Sequence, residues 1–310
     1  MSKNLLYQKN LISLKEMTLN EIQLILNTAD KIKQQKVAVQ NLLSHQLIAH
    51  CFFEPSTRTR LSFESAALRL GAKVIGFDSS EGLSLQKGET LQDTLRIISG
   101  YADLMIIRHP CEGAAALAAH VCGCPVINAG DGANQHPTQA LMDLFTIQES
   151  QPHLDKLSIA LTGDLKYGRT IHSFIDICSL FDIRFYLVAP EPLQLPEDIC
   201  NKLKKRSIRF SFHKTLEEVI PHIDILYMTR IQQERFAEGA GKLFKEQFIL
   251  TPAMLASAKA NLKIMHPLPR LNEISVDIDK TPYAHYFQQA RNGVFVRQAL
   301  LALILNEKLI

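Results

Sequence analysis

Ser56-Thr57-Arg58-Thr59-Arg60 packs three hydroxyls and two arginines into five residues, directly after Phe52-Phe53-Glu54-Pro55. Upstream, Leu47-Ile48-Ala49-His50-Cys51 is an apolar run of strand length, and downstream Leu61–Leu70 has helical character up to Gly71. Pro55 cannot sit in a central ladder and Ser56 is a good N-cap, so the spacing predicts a strand-to-helix turn here. A helix N-terminus already carries about half a positive charge, and each added arginine there is unfavourable by roughly 0.3–1 kcal/mol. An anion reverses the sign. The same N–H groups, hydroxyls and guanidinium groups then form a phosphate cradle. Taken alone, the segment also reads as a solvated arginine pair on a surface helix.

More donors follow other strand-like runs. Arg108 follows Leu104–Ile107, and Asn128-Ala129-Gly130-Asp131-Gly132 leads to His136-Pro137-Thr138-Gln139. Gly163–Arg169 follows Leu157–Leu161, Thr229-Arg230-Ile231-Gln232 follows Ile223–Met228, and His266-Pro267-Leu268-Pro269-Arg270 follows Lys263–Met265. The polar loop Glu81–Glu89 adds Ser84 and Lys87. There is no G-x-G-x-x-G fingerprint, Walker lysine motif, G-x-S-x-G elbow or H-E-x-x-H. What remains is a set of hydrogen-bond donors that would bind dense negative charge and stabilise an oxyanion, with little covalent work for the protein. Arg169 and Arg230 suit bidentate recognition of carboxylates. His136 alone reads as a cap or core histidine, but its place between a glycine-rich loop and a new helix, with Gln139 beside it, makes it a site candidate. Cys51 has no histidine partner for nucleophilic catalysis and is expected to be buried. His109 reads as structural, and Lys202–Arg206 as a solvated helix end.

The elements that must position these residues alternate between short aliphatic runs and helical stretches. Thr18 and Glu21 make a capping box, and Leu19, Ile22, Ile25, Leu26, Ala29 and Ile32 keep helical spacing behind it. Strand-like and helix-like segments then succeed one another to Gln148, break at Gln151-Pro152, and resume from Leu157. The expected fold is α/β: two doubly wound parallel-sheet domains with the active site in the cleft between them, at the carboxyl ends of the strands. Residues 1–150 form the first domain and 151–289 the second, and a C-terminal helix over 290–310 packs back on the first. Ile231–Phe248, rich in charge and glycine, reads as a mobile loop.

At 310 residues, 46% hydrophobic and 21% charged, the composition is that of an ordinary globular protein of about two domains. A net charge of +3 is too small to attract nucleic acid in bulk. The apolar runs fall short of a membrane span, no leader segment is expected, and the six scattered cysteines suit free thiols in a reducing cytoplasm. His120, Cys122 and Cys124 lack a second ligand pair at metal spacing, so no metal and no cofactor is expected.

Ser56-Thr57-Arg58-Thr59-Arg60, His136-Pro137-Thr138-Gln139 and His266-Pro267-Leu268-Pro269-Arg270 together resemble the signatures of the carbamoyltransferase family, in its order and over the whole chain. His266-Pro267-Leu268-Pro269, where the ornithine branch carries His-Cys-Leu-Pro, and Ser84 with Lys87-Gly88-Glu89 favour the aspartate branch. The resemblance implies that carbamoyl phosphate is held by Ser56, Thr57, Arg58, Thr59 and Arg108. Thr59, Arg108 and His136 would stabilise the tetrahedral oxyanion, and Gln139 with the carbonyls of Leu268 and Pro269 would hold the carbamoyl amino group. L-Aspartate would bind through Arg169, Arg230, Gln232 and Lys87. Ser84 and Lys87 would come from the neighbouring subunit of a homotrimer with shared active sites, to which zinc-bearing regulatory chains could attach. Charged contacts would join Glu54 with Arg169 and Arg235. Gln86 stands where relatives carry a second lysine in a slightly longer loop. A carbamoyltransferase for another amine such as ornithine, and a non-catalytic anion-binding homologue, are the competing readings.

Overall fold

The computed structural model describes residues 4–81, 88–230 and 248–308. The chain divides into two compact units, Met1–Met142 with Arg291–Ile310, and Asp143–Ala290. Each unit is built on its own parallel sheet.

The first unit opens with α1 (Leu19–Lys33), started by the capping box the sequence predicts. The Glu21 amide donates to Thr18 Oγ1 at 3.3 Å, and the Thr18 amide donates to Glu21 Oε2 at 2.8 Å. Ile22, Ile25, Leu26, Ala29 and Ile32 are buried on one face, whereas Leu19, counted with them from spacing, lies outside the stripe and is 45% exposed. The strands β1 (Leu47–Phe52), β2 (Lys73–Phe77), β3 (Leu104–His109) and β4 (Val126–Asp131) form a sheet in the order β2-β1-β3-β4. Between them run α2 (Thr57–Arg69), α3 (Leu91–Ser99) and α4 (Ala114–Val121), and α5 (Pro137–Ser150) follows. Ala49, Cys51, Met105, Ile107 and Val126 from three strands pack with Leu95, Ala115 and Ala118 from the helices. Continuous apolar runs such as Leu104–Ile107 are what a parallel strand covered on both faces requires.

The second unit holds β5 (Leu157–Thr162), β6 (Ile183–Val188), β7 (Arg209–His213), β8 (Ile225–Met228) and β9 (Lys263–Met265), in the order β7-β6-β5-β8-β9. α6 (Arg169–Cys178) and α7 (Glu197–Lys205) are its helices among the described residues, with basic residues in the exposed last turn of α7. α8 (Tyr286–Leu305) completes the chain. The division into units falls inside α5 and α8, whereas Gln151-Pro152 follows the end of α5. α8 begins at Tyr286, ahead of the start at 290 expected from the sequence. Gly293 is tolerated in the helix because a Cβ there would come 2.3 Å from the Arg297 guanidinium and 2.9 Å from the Met142 sulfur. At its far end Asn4 Nδ2 donates to the carbonyls of Leu303 and Asn306, both at 2.7 Å. Among the described residues, no helix is long and apolar enough to cross a membrane.

Candidate active site

Both sheets change direction at a switch point, and the arginines singled out from sequence stand there. In the first sheet the chain runs from β1 outward to β2, then returns to β3 on the other side of β1 and goes on to β4. The β1/β3 boundary is therefore the crevice where an open α/β sheet takes its ligands. Arg58 and Thr59 lie just beyond β1, in the first turn of α2, and Arg108 lies at the end of β3. In the second sheet β5 leads out to β6 and β7, and β8 and β9 lie on its other side. Arg169 opens the helix after β5, and Arg230 follows β8, so this pair flanks the β5/β8 boundary.

Ser56 occupies the N-cap position of α2, as its type predicts, and its hydroxyl makes no capping bond. At φ −157° and ψ 89° its carbonyl still accepts the first helical bond, from the Arg60 amide at 3.1 Å. The hydroxyl is thus not consumed by the helix it precedes. Among the described residues, the hydroxyls of Ser56, Thr57 and Thr59 and the Arg58 guanidinium have no hydrogen-bond or ion-pair partner in the protein. Arg58 is exposed, and partial desolvation pulls its guanidinium below the usual value. Arg60 differs: its Nε donates to Glu64 at 2.8 Å and its Nη1 pairs with Asp78. Arg60 is committed to structure, and Arg58 is not.

Contacts to Glu54 and to the Ala129 carbonyl help to orient Arg108. Its Nη2 lies 2.7 Å from Glu54 Oε1, and its Nη1 donates to the Ala129 carbonyl at 3.2 Å. The β3/β4 register shifts between Ile107 and His109, so the arginine sits at an irregularity of the kind that re-aims a side chain at a strand end. Its neighbour His109 is engaged locally, with Nδ1 accepting from the Cys111 amide at 2.9 Å. Burial lowers its pKa.

His136 and Gln139 are both buried, at the start of α5. Pro137 supplies the first helical residue without an amide to satisfy, and the His136 carbonyl accepts from the Gln139 amide at 3.0 Å. The loop before them is tied down by Asp131, which sequence reasoning passed over. Its Oδ1 accepts from Asn128 Nδ2 at 2.9 Å and the Gln135 amide at 3.2 Å. Its Oδ2 accepts from the Gly113 amide at 3.0 Å and Asn134 Nδ2 at 3.1 Å. The short-range spacing of Asn128, Asp131 and Asn134 was the signal available for it.

In the second unit, Gly163 has φ 108°, and a Cβ there would fall 2.2 Å from the Thr229 carbonyl. The Thr229 amide in turn donates to the Thr162 carbonyl at 2.9 Å. This close approach holds the loop leading to Arg169 against the one leading to Arg230. Leu268 is half-buried and Pro269 exposed. Leu268 has φ 57°, and its amide donates to His266 Nδ1 at 2.8 Å, while His266 Nε2 meets Glu273 Oε1 at 2.8 Å. Burial would raise the Glu273 pKa, but the His266 hydrogen bond brings it below the usual carboxylate value. Arg270 ends the segment with Nη2 donating to Asp279 at 2.5 Å and Nη1 to the Tyr286 hydroxyl at 2.8 Å.

Ser84, Lys87, Gln232 and Arg235 lie outside the described residues. Cys51 is buried, and burial pushes its thiol up to about 12. Among the described residues, no group of three or more His, Cys, Asp or Glu could hold a metal ion.

Residues 9–149 match the family model "Aspartate/ornithine carbamoyltransferase, carbamoyl-P binding domain", and residues 155–304 match its "Asp/Orn binding domain". The aspartate carbamoyltransferase catalytic subunits of Vibrio campbellii and Photobacterium profundum are 54% and 55% identical to the chain, over 99% of each partner. Among solved structures, the catalytic subunit of M. jannaschii aspartate transcarbamoylase superposes with a TM-score of 0.89 at 45% identity, covering 95% of this chain and 97% of its own. The Trypanosoma cruzi aspartate transcarbamoylase in complex with carbamoyl phosphate gives 0.91 at 38% identity, covering 97% of both chains. A match to both halves of the family, carried by relatives over the full length, leads to one assignment: this chain belongs to the aspartate/ornithine carbamoyltransferase family.

Proposed function

We propose that the chain transfers the carbamoyl group of carbamoyl phosphate to the α-amino group of L-aspartate, giving N-carbamoyl-L-aspartate and phosphate, as a step of pyrimidine biosynthesis. The observation that carries this reading is the pair of switch points. One is lined by uncommitted hydroxyls with Arg58 and Arg108, and the other by Arg169 and Arg230. The first donor set suits an acyl phosphate and the second a dicarboxylate.

Each residue then has a definite task. Ser56, Thr57, Arg58, Thr59 and Arg108 bind the phosphate. Gln139 and the carbonyls of Leu268 and Pro269 bind the carbamoyl amino group. Arg169, Arg230, Gln232 and Lys87 bind the aspartate carboxylates. The amine attacks the carbonyl carbon, and the oxyanion that forms is stabilised by Thr59, Arg108 and His136. The carbon–oxygen bond to phosphate then breaks, and the departing phosphate takes a proton from the amine. No protein base is required for that balance. Residues 1–150, with the C-terminal helix, serve as the carbamoyl-phosphate-binding domain, and 151–289 as the aspartate-binding domain.

The reading extends to a cytoplasmic homotrimer in which Ser84 and Lys87 complete the neighbouring subunit's site. In its support, α2 exposes Leu61 and Leu68 at 55% and 64%, and Ile75 on the edge strand β2 is 38% exposed. Exposed apolar side chains on an edge strand and its neighbouring helix are what a subunit contact would cover. Attachment of zinc-bearing regulatory chains, with allosteric control, belongs to the same reading.

The test is to incubate the protein with carbamoyl phosphate and either aspartate or ornithine and to measure ureido product. Product from aspartate alone is expected. Product from ornithine alone would assign the other branch, and none from either would leave an anion-binding homologue. Native mass measurement decides the trimer.

A further inference from the structure

The second unit contains a buried chain of hydrogen bonds that no step above uses. Asp143 on α5 is fully buried, as are Tyr227 on β8 and Gln289 on α8, and His266 is 2% exposed. The Tyr227 hydroxyl donates to Asp143 Oδ2 at 2.7 Å, and Gln289 Nε2 donates to Asp143 Oδ1 at 2.7 Å. Gln289 Oε1 accepts from the His266 amide at 2.8 Å. Tyr227 also stacks on Phe174 of α6, with ring centroids 4.6 Å apart, and exchanges a hydrogen bond with the Thr170 side chain.

The polarity of this chain is fixed at one end. The His266 backbone N–H can only donate, so Gln289 must turn its oxygen there and its NH2 toward Asp143. The tyrosine O–H arrives from the other side. Asp143 accepts on both carboxylate oxygens, from the Gln289 amide group on one and from the tyrosine hydroxyl on the other. Each arm ends beside a segment that carries a site residue. Thr170 adjoins Arg169, β8 runs on to Arg230, and His266 begins the segment holding Leu268 and Pro269.

We infer that Asp143 is a positioning residue, a buried double acceptor that sets the register of Arg169, Arg230 and the Leu268-Pro269 segment against one another. The inference rests on the function proposed above. It does not make Asp143 a catalytic residue, since its role runs through the groups that donate to it, Tyr227 and Gln289.

The test uses the full-length protein and variants that remove one arm each. Tyr227→Phe deletes a single oxygen, and Gln289→Met removes the other link at similar volume. Each is measured for kcat, for KM of both substrates, for binding of succinate (the same dicarboxylate without the amine), and for melting temperature. Tyr227→Phe is expected to raise the KM for aspartate and weaken succinate about tenfold, with the KM for carbamoyl phosphate nearly unchanged. Gln289→Met is expected to lower kcat about tenfold through the Leu268-Pro269 segment. The double variant is expected to lose less than the product of the two, because both act through Asp143. Variants that melt earlier but keep KM, kcat and succinate binding within about twofold of wild type would reduce Asp143 to a stability element and overturn the inference. Wild-type turnover on aspartate tests the proposed function separately. The variant-to-wild-type ratios are read on whichever amine the wild type accepts.

Discussion

Arg58 and Arg60 stand two residues apart on α2, and their surroundings divide their work. Arg60 is held by Glu64 and Asp78, while Arg58 has no acid within reach among the described residues. Arg58→Ala should therefore lower kcat by about a hundred- to a thousandfold, the usual cost of removing one preorganised donor aimed at developing charge, here on the departing phosphate. Its melting temperature should not change, since no intramolecular partner is lost. Steady-state kinetics alongside calorimetry check both halves, and near-normal turnover would remove Arg58 from the mechanism. His50 shows the opposite behaviour. It is buried in β1, and among the described residues neither ring nitrogen has a hydrogen-bond partner. Burial, with a smaller contribution from the Arg60 charge, lowers its pKa to about 4. The unfolded chain binds this proton at about pH 6.5, so between about 6.5 and 4 it takes up a proton that the folded chain refuses. The contribution is present in full above pH 6.5 and declines as pH falls toward 4, by about 3 kcal/mol in all. Urea unfolding at pH 7 and pH 4.5 should show a shallower acid loss in His50→Leu than in wild type. Equal losses would mean that His50 is protonated without penalty in the folded state.

At the scale of elements, the site depends on how closely strand ends approach one another. Gly163 is the clearest case, because its positive φ and its contact with the Thr229 carbonyl both exclude a side chain. Gly163→Ala should push the loop after β5 away from the end of β8. A rise in the KM for aspartate of at least about tenfold is expected, with about 2–3 kcal/mol of lost stability. An unchanged KM would show that Arg169 and Arg230 are set by other contacts. The strands themselves were largely legible, since Leu47–Phe53, Lys73–Phe77 and Lys263–Met265 announce themselves as short aliphatic runs. β3 and β4 extend past their apolar stretches into Arg108-His109 and Asn128–Asp131, because the carboxyl ends of parallel strands turn polar where they face a ligand. The donors of the site could be read because they follow strands in sequence. The support behind them could not. Asp143, Tyr227 and Gln289 come from three different elements and His266 from the segment after β9, and each alone looks like an ordinary polar residue. Ser56 was legible as the N-cap position, and its backbone leaves the hydroxyl outside the helix's own capping bonds.

For the whole molecule, the open question is whether one chain makes a complete site. Lys87 and Ser84 follow the edge strand β2, whose exposed face and whose neighbour α2 carry Ile75, Leu61 and Leu68. Burying those side chains against a second copy would supply about 25 cal/mol for each Å² covered, and it would place the loop after β2 at the contact. Two separately inactive chains then make a decisive experiment. Arg58→Ala loses the phosphate donor on its own side, and Lys87→Ala loses the residue it lends to its neighbour. If the site is shared, a mixed trimer rebuilds an intact site wherever a Lys87→Ala chain is completed by an Arg58→Ala chain. Random assortment from equal amounts places that pairing at about one site in four, so about a quarter of wild-type activity should return on mixing. The recovered sites should show the wild-type KM for aspartate, because each contains both residues unaltered. Mixed trimers confirmed by native mass that stay inactive would place Lys87 in the site of its own chain, and the exposed face of β2 and α2 would then need another partner.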